Sequence, residues 1–272
     1  ALGRPAPDGR GPWPRWRCGV ALRLLRSHNL VSRNVWSRKV LMCSRHVKLV
    51  LERHGAAVAA ACRRSPGPGR WCPTLRYADV GSSLGDCSLA AAALVPWGQL
   101  RGLAFDADPK VIGPLRQTLV LNGLSSPAAN ASFVGVRHMM LAESRRSPVS
   151  LIADDHVGLV AVGTGTASAT WRVPVSTLDH ELLGLDGDLH VMSIFGNGQF
   201  EASMLLGAER LLRSRRVRCL LVTCYDGCLA VKTVMQQAKY LYEVRVNQLL
   251  AGPEELVNAA HGEICDPLVK PL

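Results

Sequence analysis

The residues best suited to chemistry lie in "DVGSSLGD" (79–86) and "FDADP" (105–109). Gly81 and Gly85 bracket a turn that also holds Ser82. Glycine there permits positive φ and lets a ligand approach the backbone closely. Asp86 opens the helix that follows, so its first amides face the same crevice. Asp106 lies 25 residues beyond Gly81 at the end of the next strand. A carboxylate at that point accepts hydrogen bonds from ribose hydroxyls. The turn reads G-x-x-x-G rather than G-x-G-x-x-G, and no G-K-[ST] follows. NAD and ATP are therefore disfavoured, and S-adenosylmethionine is the expected cofactor. Asp79 is then placed to meet the charged methionine end of that ligand.

These residues need a strand, a turn, a helix and a second strand to hold them, and the pattern supplies all four. From residue 74 onward strand-like and helix-like segments alternate. The expected strands are 75–80, 101–106, 132–137, 189–195 and 217–224, and the expected helices 86–95, 109–122, 199–213 and 229–241. Alternation of this kind predicts a mostly parallel sheet with helices on both faces. Segment 150–175 reads as extended excursions and 242–249 as a late strand.

The run "DVGSSLGDCSLAAAALVPWGQLRGLAFDADPKVIGPLRQTLVLNGL" resembles the start of the FkbM-type S-adenosylmethionine-dependent methyltransferases. "VPVSTLDHELL" (173–183) resembles that family's Val-Pro-x-x-Thr-Leu-Asp segment, and "LLGAERLL" (205–212) its Leu-x-Gly-Ala-x-x-Leu-Leu helix. The resemblance implies an α/β fold with a seven-stranded, Rossmann-like methyltransferase sheet and helices on both faces. It also implies that Asp79, Gly81, Gly85 and Asp106 surround the cofactor.

One family segment is missing. Where Lys-Ile-Asp-x-Glu-Gly is usual, this chain has Ser193, Phe195, Gly196, Asn197 and Gly198, with one extra residue before the helix. Neither the lysine nor either acid is present, and Glu201 is a poor substitute by spacing. Loss of both carboxylates removes the evident general base and any metal-binding role. The family prefers Glu where Asp106 stands, which weakens the ribose contact. The expectation is a catalytically degenerate methyltransferase-fold protein, with S-adenosylmethionine held weakly or no longer held and no metal. The alternative is an active methyltransferase with an atypical reaction centre.

Composition bounds the remainder. The chain has 272 residues and a net charge of +11. Residues 1–70 carry 13 Arg and 2 Lys against Asp8 and Glu52, a net of +13, which leaves 71–272 at −2. The breaker-rich "RRSPGPGRW" (63–71) suggests a boundary between a basic extension, 1–70, and a methyltransferase-like domain, 71–272. Within the extension Trp36, Val40, Cys43, Val47 and Val50 or Leu51 form one apolar stripe, predicting an amphipathic helix over 31–54. Arg15, Arg17, Arg23, Arg26, Arg33, Trp36, Arg38, Lys39, Arg45 and Lys48 are the expected contacts to ribosomal RNA or to neighbouring subunits of a large organellar complex. The extension is Arg-rich and acid-poor, like a transit peptide, which points to a mitochondrial location with a cleavage site upstream of Ala1; another organelle or the cytoplasm is the alternative. No uninterrupted apolar run is long enough for a membrane-spanning helix. Nine cysteines without paired spacing argue against a disulfide framework and for a reducing compartment. Cys219, Cys224 and Cys228 cluster around a strand end but lack a fourth ligand for a metal. His138 in "RHMM" and the acids of "IADDH" (152–156) read as surface or structural residues. "RSRRVR" (213–218) closes a helix, where cations suit the dipole.

Overall fold

A computed structural model describes residues 47–64, 74–95, 99–127, 132–145, 149–154, 158–162, 170–196, 200–224, 228–245, 248–254 and 265. The chain begins there with helix α1 (Lys48–Arg64), then β1 (Leu75–Val80), α2 (Asp86–Leu94), β2 (Leu100–Asp106), α3 (Pro109–Leu121) and β3 (Phe133–His138). Two short strands, β4 (Met140–Leu141) and β8 (Val175–Ser176), pair with each other. Between them β5 (Val149–Asp154), β6 (Gly158–Val162) and β7 (Thr170–Val173) form an antiparallel three-stranded sheet. This sheet is the form taken by the excursions expected over 150–175.

The main chain path returns through α4 (Leu178–Leu182), β9 (Val191–Ile194), α5 (Glu201–Leu206), α6 (Glu209–Arg213) and β10 (Leu220–Thr223). It ends with α7 (Leu229–Gln237), β11 (Tyr240–Arg245) and β12 (Gln248–Pro253). The central sheet has the order β11-β12-β10-β9-β1-β2-β3. The pairs β1–β2, β2–β3, β1–β9 and β9–β10 are parallel, whereas β12 is antiparallel to both its neighbours. The late strand expected at 242–249 is in fact this hairpin of two strands.

Local sequence explains most of the boundaries. The Asp108 side chain accepts a hydrogen bond from the Lys110 amide at 2.8 Å, with Pro109 behind it as first helical residue, so α3 starts there. Its end at Asn122-Gly123 closes with the Leu124 amide on the Leu119 carbonyl and the Gly123 amide on the Val120 carbonyl, a Schellman arrangement. The helix expected over 199–213 is two helices, broken at Gly207 and Ala208. Asp179 restarts the second by accepting from the Arg210 and Leu211 amides at 2.9 and 2.8 Å. The carbonyl of Ala142 also occupies the space that a Cβ on Gly207 would need. The Thr-Leu-Asp and Leu-x-Gly-Ala segments therefore meet in space, and both serve the packing of these helices.

α1 corrects the reading of the extension. Of the helix expected over 31–54, residues up to 46 lie outside the described residues. The described part continues through the Ala-rich stretch to Arg64. Val47, Val50, Leu51 and Val58 are buried in the same core as Leu75, Tyr77, Cys87, Leu100 and Val191. The stripe residues Val47 and Leu51 are thus covered by the chain itself, and a boundary at 70 cuts through one core. Arg15, Arg17, Arg23, Arg26, Arg33, Trp36, Arg38, Lys39 and Arg45 lie outside the described residues, and Lys48 is the first residue of α1. A second core on the sheet's other side contains Ala78, Val80, Phe105, Ile194, Leu205, Leu212 and Val222.

The cysteines depart from expectation. Cys219 is bonded to Cys265, which anchors the start of β10 to a residue 46 positions later. Cys224 is bonded to Cys228 across the loop between β10 and α7. A spacing of four residues and one of 46 give no recognisable motif, which is why they were invisible in the sequence. Alkylation of the unreduced, denatured protein is expected to leave these four cysteines unmodified. Labelling of all four without prior reduction would show that the pairs do not form. No helix among the described residues is long and apolar enough to cross a membrane.

Candidate cofactor site

The chain runs outward from β1 through β2 to β3, then returns to β9 on the other side of β1. The point where the order reverses leaves a crevice outside the carboxyl ends of β1 and β9, and open α/β sheets bind ligands there. Gly81, Asp106, His138, Phe195 and Cys224 all lie at or just beyond those strand ends.

The turn after β1 is built by hydrogen bonds to its neighbours. The Gly81 and Ser82 amides both donate to the Phe105 carbonyl, at 2.8 and 2.9 Å. Gly81 has φ +70 and Gly85 φ +86. The carbonyl oxygen of Phe195 fills the space that a Cβ on Gly81 would occupy. The close approach foreseen for a ligand is thus made, at this point, by the chain's own β9 exit. Gly85 is the left-handed N-cap of α2, with the Leu89 amide on its carbonyl at 2.7 Å. Ser82 is fully buried, and its hydroxyl has no hydrogen-bond partner among the described residues. Asp86 is the first residue of α2, as expected.

Asp106 ends β2 beside His138, its register partner on β3. Its carboxylate accepts the Ser83 amide at 2.6 Å and the Asp108 amide at 2.9 Å. It thereby ties the glycine turn to the start of α3 while remaining partly accessible. Burial, ahead of the nearby Asp106 charge, raises the Asp108 carboxyl above its ordinary value, against the opposing pull of the Lys110 amide hydrogen bond. His138 comes to the mouth of the crevice, with Nε2 at 3.3 Å from the Ala107 carbonyl. Lys110 lies over the Trp171 ring at 4.8 Å, which brings β7 to the same end of the molecule.

Asp79 has a different setting from the one its position suggested. It is 1 % exposed. Its carboxylate accepts the Ser88 hydroxyl at 2.8 Å and the Ser193 hydroxyl at 3.2 Å. Ser193 in turn pairs with the buried Tyr77 hydroxyl at 2.6 Å. Burial first, then the Asp79 charge, holds the Tyr77 phenol well above its ordinary value. The serine in the departed family segment thus completes a polar network linking β1, β9 and α2 beneath the crevice.

Glu201 was discounted by spacing, yet it is 2 % exposed and folds back onto the β9 exit. Its Oε1 accepts the Gly196 amide at 2.9 Å. The one signal available in the sequence was an acid at the start of a helix close after a strand. Asn197 and Gly198 lie outside the described residues. No group of three or more His, Cys, Asp or Glu among the described residues is placed to hold a metal ion.

No protein-family model matches the chain, and no curated protein matches it. Solved structures do. Methyltransferase FkbM from Methylobacillus flagellatus is 16% identical over 66% of this chain, at a TM-score of 0.47, and the match spans 43% of that protein's length. A methyltransferase from Geobacter sulfurreducens is 13% identical over 90% of this chain and 91% of its own, at a TM-score of 0.42. Magnesium protoporphyrin IX methyltransferase from Synechocystis PCC 6803, solved with bound S-adenosylmethionine, is 11% identical over 76% of this chain and 79% of its own, at 0.38. Such likenesses assign no activity. The strand order and the switch point define a Rossmann-like, seven-stranded methyltransferase sheet.

Proposed function

We propose that this chain binds S-adenosylmethionine at the carboxyl ends of β1, β2 and β9 and acts as a methyltransferase with an atypical reaction centre. The carrying observation is Ser82. Its hydroxyl, fully buried between the two positive-φ glycines, lacks a partner among the described residues. A buried hydroxyl left unpaired costs about 1–3 kcal/mol, and a small shift of the turn onto a bound ligand would give it a partner. Asp106 is the group to accept from ribose hydroxyls, because its carboxylate is already aimed by two backbone amides. When bound, the cofactor supplies an electrophilic methyl group. The chain's own part is to hold the nucleoside at Asp106 and to keep the β9 exit against Gly81.

Calorimetry on the full chain tests this reading. Wild type is expected to bind S-adenosylhomocysteine, and Asp106→Asn to bind it about 10- to 100-fold more weakly, the value of a hydrogen bond to a charged group. A wild-type protein that melts cooperatively but binds no nucleoside would overturn it.

That outcome favours the second reading, a degenerate subunit of a mitochondrial ribosome or another organellar assembly. Its supporting observation is the segment Ser193–Gly196, which carries no acid and no lysine. The +13 charge of residues 1–70 supports RNA or a subunit of such an assembly as partner. The Cys219–Cys265 and Cys224–Cys228 disulfides support maturation in an oxidising compartment, in place of the reducing one expected from cysteine spacing.

A further inference from the structure

We infer that the amino ends of β1, β9 and β10 form a binding site for a phosphate-type oxyanion, built by Arg76, Arg216 and Arg218 around Gly187 and Asp188. The site lies at the end of the sheet opposite the cofactor crevice, so it is independent of the cofactor reading. Arg76 is the second residue of β1, Gly187 and Asp188 lead into β9, and Arg216 and Arg218 lead into β10. β9 lies between β1 and β10 and is parallel to both. Parallel strands begin at one edge, so register brings the three arginines together. The His190 amide on the Arg76 carbonyl at 3.0 Å and the Leu189 amide on the Arg216 carbonyl at 2.7 Å fix that alignment.

The side chains converge on one loop. The Arg76 guanidinium covers Gly187 so closely that a Cβ on that glycine would stand 2.5 Å from Nη1 and 3.1 Å from Cζ. Arg216 donates from Nη2 to the Gly187 carbonyl at 2.6 Å and to the Leu185 carbonyl, and from Nη1 to the Leu183 carbonyl at 2.8 Å. Arg218 donates from Nε and Nη2 to Asp188 Oδ2 at 3.2 and 3.0 Å. Carbonyl contacts aim Arg216 without cancelling its charge, and Asp188 offsets one cation; Asp186 is exposed in the same loop. The Arg76 guanidinium has neither hydrogen bond nor ion pair among the described residues. Burial, His54, Arg218 and Arg76 together keep His190 neutral, so it adds no further cation. The three arginines are half-buried and Gly187 is exposed, so a solute reaches them. Like charges so placed repel one another. A phosphate offers enough acceptor oxygens for more than one guanidinium fork, and it relieves that repulsion. A phosphodiester of RNA and a free phosphate share this chemistry.

Thermal melting of the full chain tests the site, in chloride and in inorganic phosphate at equal ionic strength, for wild type and Arg76→Gln. Glutamine removes the charge and the fork of the one guanidinium that has no partner of its own. Wild type is expected to gain about 3–5 °C at a phosphate concentration about ten times the dissociation constant, and Arg76→Gln to gain little. If Arg76→Gln does not fold, Arg76→Lys takes its place; it keeps the charge without the fork and is expected to gain less than wild type. Binding of a stem-loop RNA to the same proteins across a salt series separates the two sources. A several-fold loss in the variant, with the log–log salt slope smaller by about one, identifies an RNA phosphodiester as the ligand. Unchanged RNA affinity beside a lost phosphate response identifies a free phosphate. No gain from phosphate in wild type, or an equal gain in wild type and variant, overturns the site.

Discussion

Gly81→Val is expected to leave the protein largely unfolded. Two costs coincide at this residue. Its φ of +70 lies in the left-handed region, where a β-branched residue is strained by about 1–3 kcal/mol. The carbonyl of Phe195 also fills the space of the new Cβ, and that carbonyl belongs to backbone locked between neighbouring strands. The Phe195 amide donates to the Val80 carbonyl at 2.9 Å, so the β9 exit cannot retreat without losing its pairing to β1. Backbone that cannot move turns a local clash into separation of the two central strands. The combined loss, on the order of 3–5 kcal/mol, is a large part of the stability of an ordinary domain. Thermal melting by circular dichroism is the measurement, with Gly81→Ala as the milder companion, sharing the clash but not the branch. A melting temperature unchanged by Gly81→Val would mean that β9 does not pass against the turn.

Stability is also expected to fall steeply in mild acid, through His190. This histidine lies at the opposite end of the sheet, where its Nδ1 accepts the Arg76 amide at 3.1 Å and its ring meets His54 edge-on at 6.1 Å. Burial lowers its pKa from the ordinary 6.5 to about 3, with His54, Arg218 and Arg76 adding to the effect. The folded state therefore stays unprotonated where the unfolded chain takes up a proton. The contribution is fully present above pH 6.5 and is lost progressively as the pH falls from 6.5 toward 3. Each pH unit of displacement is worth about 1.4 kcal/mol, so the effect amounts to a few kcal/mol. Urea unfolding at a series of pH values between 7 and 4 measures it, as an order-of-magnitude loss rather than a fixed figure. His190→Asn keeps an acceptor for the Arg76 amide and should flatten the profile. An equally steep profile in that variant would place the acid sensitivity in other groups.

The elements around the site were readable because their signals are local. β1 at 75–80 is where the apolar run before Gly81 placed it, and α3 begins and ends at the Asp-Pro and Asn-Gly pairs that mark helix boundaries. The turn glycines and Asp106 follow from the same kind of signal, since a strand, a tight turn and a helix leave few positions open. The break at Gly207 escaped the reading because its cause is remote. The Ala142 carbonyl and the Asp179 cap arrive from other parts of the chain.

The order of elements, the parallel sheet and the crevice at its switch point were thus determined by the sequence itself, through hydrophobic period and the backbone preferences of Gly, Pro, Asp and Asn. The allotment of partners was decided only by tertiary structure. Asp79 reads as a ligand contact until Ser193, 114 residues away in the chain, arrives on the adjoining strand and engages its carboxylate. Glu201 reads as an ordinary helix residue until the return of α5 sets it on Gly196. Val47 and Leu51 read as a docking stripe until α1 packs into the core beneath β1. Cys219 and Cys265 become a pair only when the C-terminal segment reaches β10. Periodicity is set by neighbouring residues, whereas the burial and pairing of a polar group depend on strand register and helix packing across the whole chain.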